Sequence, residues 1–139
     1  MRLLHLTNME RKKLHLPLLQ RDPRLEAAAQ EHAMDMAGQK YLDHTSPDGV
    51  APLERIRSRG YTEPSCNCTW QFYFGENLAW SRATKPEIIM QYWLRSKEHR
   101  VHIFSPHYRD IGLGLEDGYW VQVFAGMEIE AVKFSNAQH

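Results

Sequence analysis

Two histidines and one glutamate could act together in this chain: His44 in LDHTSPDG, Glu76 in FGENLAW and His99 in SKEHR. Two imidazoles and a carboxylate form a ligand set for zinc or another divalent ion that keeps open coordination positions. The same groups could act as base and acid toward a metal-bound water or a serine. A third use is architectural, because clustered charges also pin loops to a sheet. Each residue alone has an ordinary explanation. A histidine on an apolar stripe is commonly a satisfied core residue, and a lone buried glutamate commonly pairs with an arginine. Glu76 is the most demanding of the three. Read at strand spacing, Phe72, Phe74, Glu76, Leu78 and Trp80 share one face of FYFGENLAW, and that face is expected to be buried. A carboxylate left unpaired there costs on the order of several kcal/mol, so Glu76 must have a partner.

The hydrolase alternative lacks parts. Neither HExxH nor G-x-S-x-G occurs. Ser46 is followed by Pro47 in a turn with no evident oxyanion helix, and the glycines of IGLGLE read as strand glycines rather than a phosphate loop. Cys66 and Cys68, in SCNCT, are the two cysteines of the chain. Their spacing is awkward for a disulfide, which leaves a strained bond, two free thiols or a two-thiolate metal clip, although C-x2-C is the usual metal spacing. Asn67-Cys68-Thr69 is formally a glycosylation sequon, relevant only to a protein secreted by a eukaryote.

The elements that must hold these residues fit one domain over residues 1–139, since 42% hydrophobic content with four tryptophans supplies a single substantial core. Lys plus Arg equal Asp plus Glu at 17 each, so net charge draws the chain to neither nucleic acid nor an anionic membrane. Eight histidines make its charge responsive across the physiological range; His5 and His139 are terminal. No apolar run reaches the ~18 residues of a membrane span. MRLLHLTNMERKK lacks the apolar core of a signal peptide and reads as a helix, so the chain is either cytosolic or the trimmed mature part of an exported protein.

A short helix is expected over roughly Leu3 to Leu14, with Leu3, Leu4, Thr7, Arg11 and Leu14 near one face. A second runs from N-cap Asp22 and Pro23 to about Lys40, its face Leu25, Ala28, Ala29, His32, Ala33, Met36 and Ala37. PLERIRSRG reads as a third, stopped by Gly60. YTEPSCNCTWQ then reads as an irregular loop before the Glu76 strand. Thr84 and Glu87 suggest a capping box for a helix whose stripe is Ile89, Tyr92, Trp93, Ser96, His99 and Ile103. Asp117-Gly118 between IGLGLE and YWVQVFA marks a two-residue hairpin. Without βαβ alternation, this order implies an α+β fold, a small antiparallel sheet covered by helices.

LTNMER, LEAAAQEHAMDMAGQKYLDHTSPDG, RIRSRGY, GENLAW, WLRSKEHR, IGLG and YWVQVF, in this order, resemble the bacterial SCP-like branch of the CAP superfamily, which includes cysteine-rich secretory proteins, antigen 5 allergens and plant pathogenesis-related proteins. The resemblance covers nearly the whole chain. It implies a three-layer α-β-α sandwich with a central antiparallel sheet and a cleft. It also implies that His44, Glu76 and His99 fall on three of four cleft positions, two histidines and two acids, which hold divalent metal in some members. The fourth position is Ser96 here, which weakens any zinc site by one charge. Glu98 replaces a usual glycine and cannot stand in for the missing acid, since adjacent helical residues point about 100° apart. His102 replaces a usual asparagine; it either extends the site or occupies the last helical turn, where a positive imidazole is favoured. Asn77 and Gln122 are further cleft-lining candidates. On this reading Glu76 pairs with His44 and His99 across the cleft, directly or through a cation, and either arrangement raises the histidine pKa or replaces its proton with metal.

The resemblance favours a monomeric, secreted or periplasmic binding module for a protein, lipid or glycan ligand. A metal-dependent hydrolase at the same cleft and a purely structural network are the alternatives.

Overall fold

The computed structural model describes residues 2–130, so His139 lies outside the described residues. Within them α1 spans Arg2–Lys13, β1 Gln20–Arg21, α2 Pro23–Gln39, α3 Pro52–Ser58, β2 Thr69–Trp80, α4 Pro86–Arg95, α5 Lys97–Ile103, β3 Asp110–Glu116 and β4 Tyr119–Glu130. Helix α2 starts as its sequence dictates: the Asp22 carboxylate accepts from the backbone N–H groups of Arg24 and Leu25, ahead of Pro23 in the first turn. It stops at Lys40, which adopts the left-handed conformation (φ 59°) and donates its N–H to the Met36 carbonyl.

The sheet order is β1-β3-β4-β2. β3 and β4 form the expected hairpin, with Asp117 and Gly118 both at positive φ (48° and 82°), as a tight primed turn requires. β2 runs antiparallel to β4 from Thr69↔Glu130 to Trp80↔Tyr119 and leaves its other edge open. The two-residue β1, absent from the sequence reading, pairs parallel with β3, so the sheet is antiparallel except at that edge.

Alternation along β4 divides the core in two. Val121, Val123 and Ala125 pack with Leu25, Ala29, Ala33, Met36, Ile56 and Tyr61 under α2 and α3. Trp120 and Phe124, pointing the opposite way, pack with Leu3, Ile89, Met90, Trp93 and Ile103 of α1, α4 and α5. The result is the three-layer α-β-α sandwich. Helix α2 lies so close to the sheet that a Cβ at Gly112 would come within 2.1 Å of the Leu25 backbone; only glycine permits that approach.

Three expectations change. The single helix carrying the Trp93 to Ile103 stripe is two helices, broken at Ser96 by extended backbone (φ −103°, ψ 125°). The capping box does not form: Lys85 is the N-cap, and the Glu87 carboxylate accepts from Arg2 Nε at 2.8 Å instead. β2 begins inside the expected loop, and its buried stretch runs over 75–79 on both faces, with Phe74 and Trp80 exposed.

Two polar residues of α1, Thr7 and Arg11, are buried and satisfied. Arg11 donates to the carbonyls of Pro17, Ile103, Ser105 and Tyr108, fastening α1 to the chain after α5. Burial, reinforced by Arg109, lowers its pKa to about 10.

Candidate functional site

Glu76 pairs with Val123 across the sheet and points toward α2 and α3, where it is 5% exposed. Its partners are Arg55 and His44. Arg55 Nη2 lies 3.1 Å from Oε2 and 3.4 Å from Oε1, and His44 Nδ1 donates to Oε1 at 2.8 Å. Arg55 comes from α3 beside the core residue Ile56 and is itself 4% exposed. The same guanidinium donates to the carbonyls of His44 (2.7 Å) and Val50 (3.0 Å), so one cation gathers the loop after α2, the start of α3 and the edge strand. His44 keeps about half its side chain in solvent (52%). Its hydrogen bond to Glu76 raises its pKa against the opposing effect of burial. Because an ionised carboxylate only accepts, Nδ1 carries the proton there and Nε2 is left for an outside partner.

His99 makes no hydrogen bond to His44 or Glu76 among the described residues, although His44 lies near enough to act on its charge. His99 belongs to the other helical layer: Asn77, neighbour of Glu76 on the opposite sheet face, donates from Nδ2 to the His99 carbonyl at 3.1 Å. The His99 ring tilts against Tyr92 (centroids 5.4 Å), and its Nδ1 is buried without a hydrogen-bond partner among the described residues. Burial lowers its pKa, and the nearby His44 lowers it further while Glu98 opposes both, so its shift runs opposite to that of His44. The two histidines thus flank the open edge of β2 from different layers.

Two of the cleft-lining candidates are core residues. Asn77 and Gln122 are fully buried; Asn77 Nδ2 donates to Gln122 Oε1 (3.1 Å), Gln122 Nε2 to Thr7 Oγ1 (2.9 Å), and Thr7 Oγ1 to the Leu3 carbonyl (2.8 Å). They line no open cleft because both sit mid-sheet under α1 and α5. His102 occupies the last turn of α5, with Nδ1 3.0 Å from the Tyr108 hydroxyl and its ring stacked toward Phe124. A Cβ at Gly75 would lie 2.3 Å from that Nδ1, so the glycine before Glu76 is what admits His102. Burial, with His44 and His99, lowers the His102 pKa, so the favoured positive imidazole of a helix end does not describe it. Ser96 ends α4 and starts α5; its carbonyl accepts from the N–H groups of His99 and Arg100.

The serine that a hydrolase would use is engaged: Ser46 Oγ donates to Asp48 (2.6 Å) and accepts from the Val50 N–H (2.9 Å). Cys66 and Cys68 are paired with each other as a disulfide. Among the described residues no three His, Cys, Asp or Glu side chains gather as a ligand group, and Arg55 already supplies the positive charge at Glu76.

Arg55 is the functional-site residue the sequence reading missed. Its only signal was the general expectation that a buried glutamate finds an arginine, and nothing in PLERIRSRG singles out Arg55 from its neighbours.

The chain is 35% identical over 127 residues to the uncharacterized protein YkwD of Bacillus subtilis, covering 90% of this chain and 46% of that protein. It spans less than half the length of the curated relatives it matches. Among solved structures, an extracellular protein containing a SCP domain from Bacillus anthracis superposes with a TM-score of 0.79 at 27% identity, over 90% of this chain and 39% of that one. An outer surface protein from Borrelia burgdorferi shares the fold at 23% identity (TM-score 0.72), over 92% and 90% of the respective chains. Residues 4–124 match the model of the cysteine-rich secretory protein family, CAP, and the chain belongs to that family.

Proposed function

We propose that this chain is a single exported CAP domain that acts as a monomeric, non-enzymatic binding module, its ligand contacting His44 at the open edge of β2. One observation carries the reading: a half-exposed imidazole is anchored through Nδ1 to a buried carboxylate that is itself neutralised by buried Arg55. Such an anchor fixes ring orientation and favours the cationic form, which suits recognition of a hydrogen-bond acceptor or an anion by Nε2–H. The same anchor would also orient Nε2 as a general base, so the binding reading rests on the missing hydrolase motifs, HExxH and G-x-S-x-G. The engaged hydroxyl of Ser46 also argues against a serine nucleophile. Export is supported by the extracellular relative; no helix among the described residues is long and apolar enough to cross a membrane.

The test is histidine-ring NMR of the protein titrated with short acidic peptides, oligosaccharides and fatty acids. One class is expected to shift His44 saturably and to be recovered chemically unchanged, with His44→Ala abolishing the response. Turnover of any of these molecules, lost in His44→Ala, would replace the binding module with the hydrolase.

A further inference from the structure

A second groove lies at the hairpin end of the sheet, on residues that the histidine cleft does not use. It encloses about 550 Å³ among Lys40, Trp80, Arg82, Asp117, Tyr119 and Trp120. Three elements meet there. Trp80 ends β2 and Tyr119 starts β4 as its register partner, with their ring centroids 6.4 Å apart at 60°. Lys40 is the left-handed cap of α2, and Arg82 stands in the loop after β2, which is tied to the hairpin turn by Ser81 N–H donating to the Gly118 carbonyl at 2.9 Å.

Trp80 is 49% exposed although it ends a buried strand, and nothing in the sheet requires an indole at that edge. Lys40 and Arg82 are both exposed, and neither forms an ion pair among the described residues. Against these two free cations the wall carries one carboxylate, Asp117, so the groove favours an anion. Trp120 forms the inner wall; it is 5% exposed and its indole N–H has no acceptor among the described residues.

We propose that this groove binds an anionic saccharide, with a pyranose ring resting on Trp80 and Tyr119 and its carboxylate held by Lys40 and Arg82. The tilted aromatic pair offers flat apolar area to the C–H face of a sugar ring, while the cations select for charge. A lipid chain would leave Lys40, Arg82 and Asp117 on the groove wall without partners, and a basic peptide would meet two cations. The inference stands apart from the reading of His44 and survives its failure.

The test uses the whole chain and trigalacturonate, with maltotriose as the neutral trisaccharide, followed by indole and amide NMR at low salt. Trigalacturonate is expected to shift Trp80, Arg82 and Tyr119 saturably. Trp80→Ala and the Lys40→Ala/Arg82→Ala pair should each weaken it by about tenfold or more, with added salt weakening the wild type and not the double variant. A Lys12→Ala/Lys97→Ala pair, which removes the same charge outside the groove, should leave binding unchanged. Equal affinity for maltotriose, or trigalacturonate binding indifferent to Trp80 and to the two cations, would overturn the proposal. So would the absence of a saturable shift.

Discussion

The Arg55 guanidinium lies 3.1 Å from Glu76 Oε2, with their side chains 5% and 3% exposed, and His44 bonds the other oxygen. Each partner makes the burial of the other tolerable, because a single charge in that site would stand uncompensated. Glu76→Gln keeps the shape and removes the charge, leaving Arg55 buried with only carbonyls. It should cost about 3 kcal/mol by urea denaturation, whereas the joint replacement Arg55→Met/Glu76→Leu should cost less than either single change. Coincident urea midpoints for wild type and Glu76→Gln would show that the carboxylate is solvated.

The His44 shift gives this cost a pH dependence. His44 is raised above its unfolded value, so its stabilisation is fully present below the unfolded histidine range, about pH 6.5, and disappears as pH rises through the folded value. The stability gap between wild type and Glu76→Gln should therefore be wider near about pH 5.5 than near about pH 8.5. His32, His99 and His102 are depressed, chiefly by burial, and contribute the other way: their stability is present above the unfolded range and lost as pH falls through their folded values. Urea midpoints of both proteins across this range measure the balance.

The buried chain from Thr7 through Gln122 to Asn77 holds α1 and β2 to the centre of the sheet. Gln122→Ala would leave Asn77 Nδ2 with the His99 carbonyl alone and Thr7 Oγ1 without its donor, and would open a cavity. A loss of about 2–4 kcal/mol is expected in thermal or chemical unfolding.

Cys66 and Cys68 close a ring too small to restrict the unfolded chain, in a loop whose first cysteine is exposed. Serine at both positions should move the unfolding midpoint little and leave the His44 titration unchanged. A large drop in the midpoint would show that the loop before β2 depends on the bond.

Local chemistry made much of this architecture legible. Asp22-Pro23 announces α2, Asp117-Gly118 the hairpin, and GENLAW a strand with a carboxylate in need of a partner. What escaped was tertiary. Arg55 reaches Glu76 from 21 residues away on a short helix whose polar residues look alike. The break at Ser96 interrupts a stripe that still reads as continuous at helical spacing, and it separates the helix that carries Trp93 from the one that carries His99. Asn77 and Gln122 resemble cleft residues in a sequence because polar side chains are usually exposed; only the register Asn77↔Gln122 shows that they bond each other in the core.

The central claim is that Glu76 is held by Arg55 and His44, with His99 hydrogen-bonded to neither. Histidine-ring NMR across pH, in wild type and Glu76→Gln and with and without zinc, tests it most directly. His44 is expected to titrate above the ordinary histidine value in wild type and to fall back in Glu76→Gln, while His99 titrates below that value in both and zinc moves neither saturably. Coupled titration of His44 and His99 that depends on Glu76, or saturable zinc binding that shifts both rings and is lost in His44→Ala/His99→Ala, would contradict it.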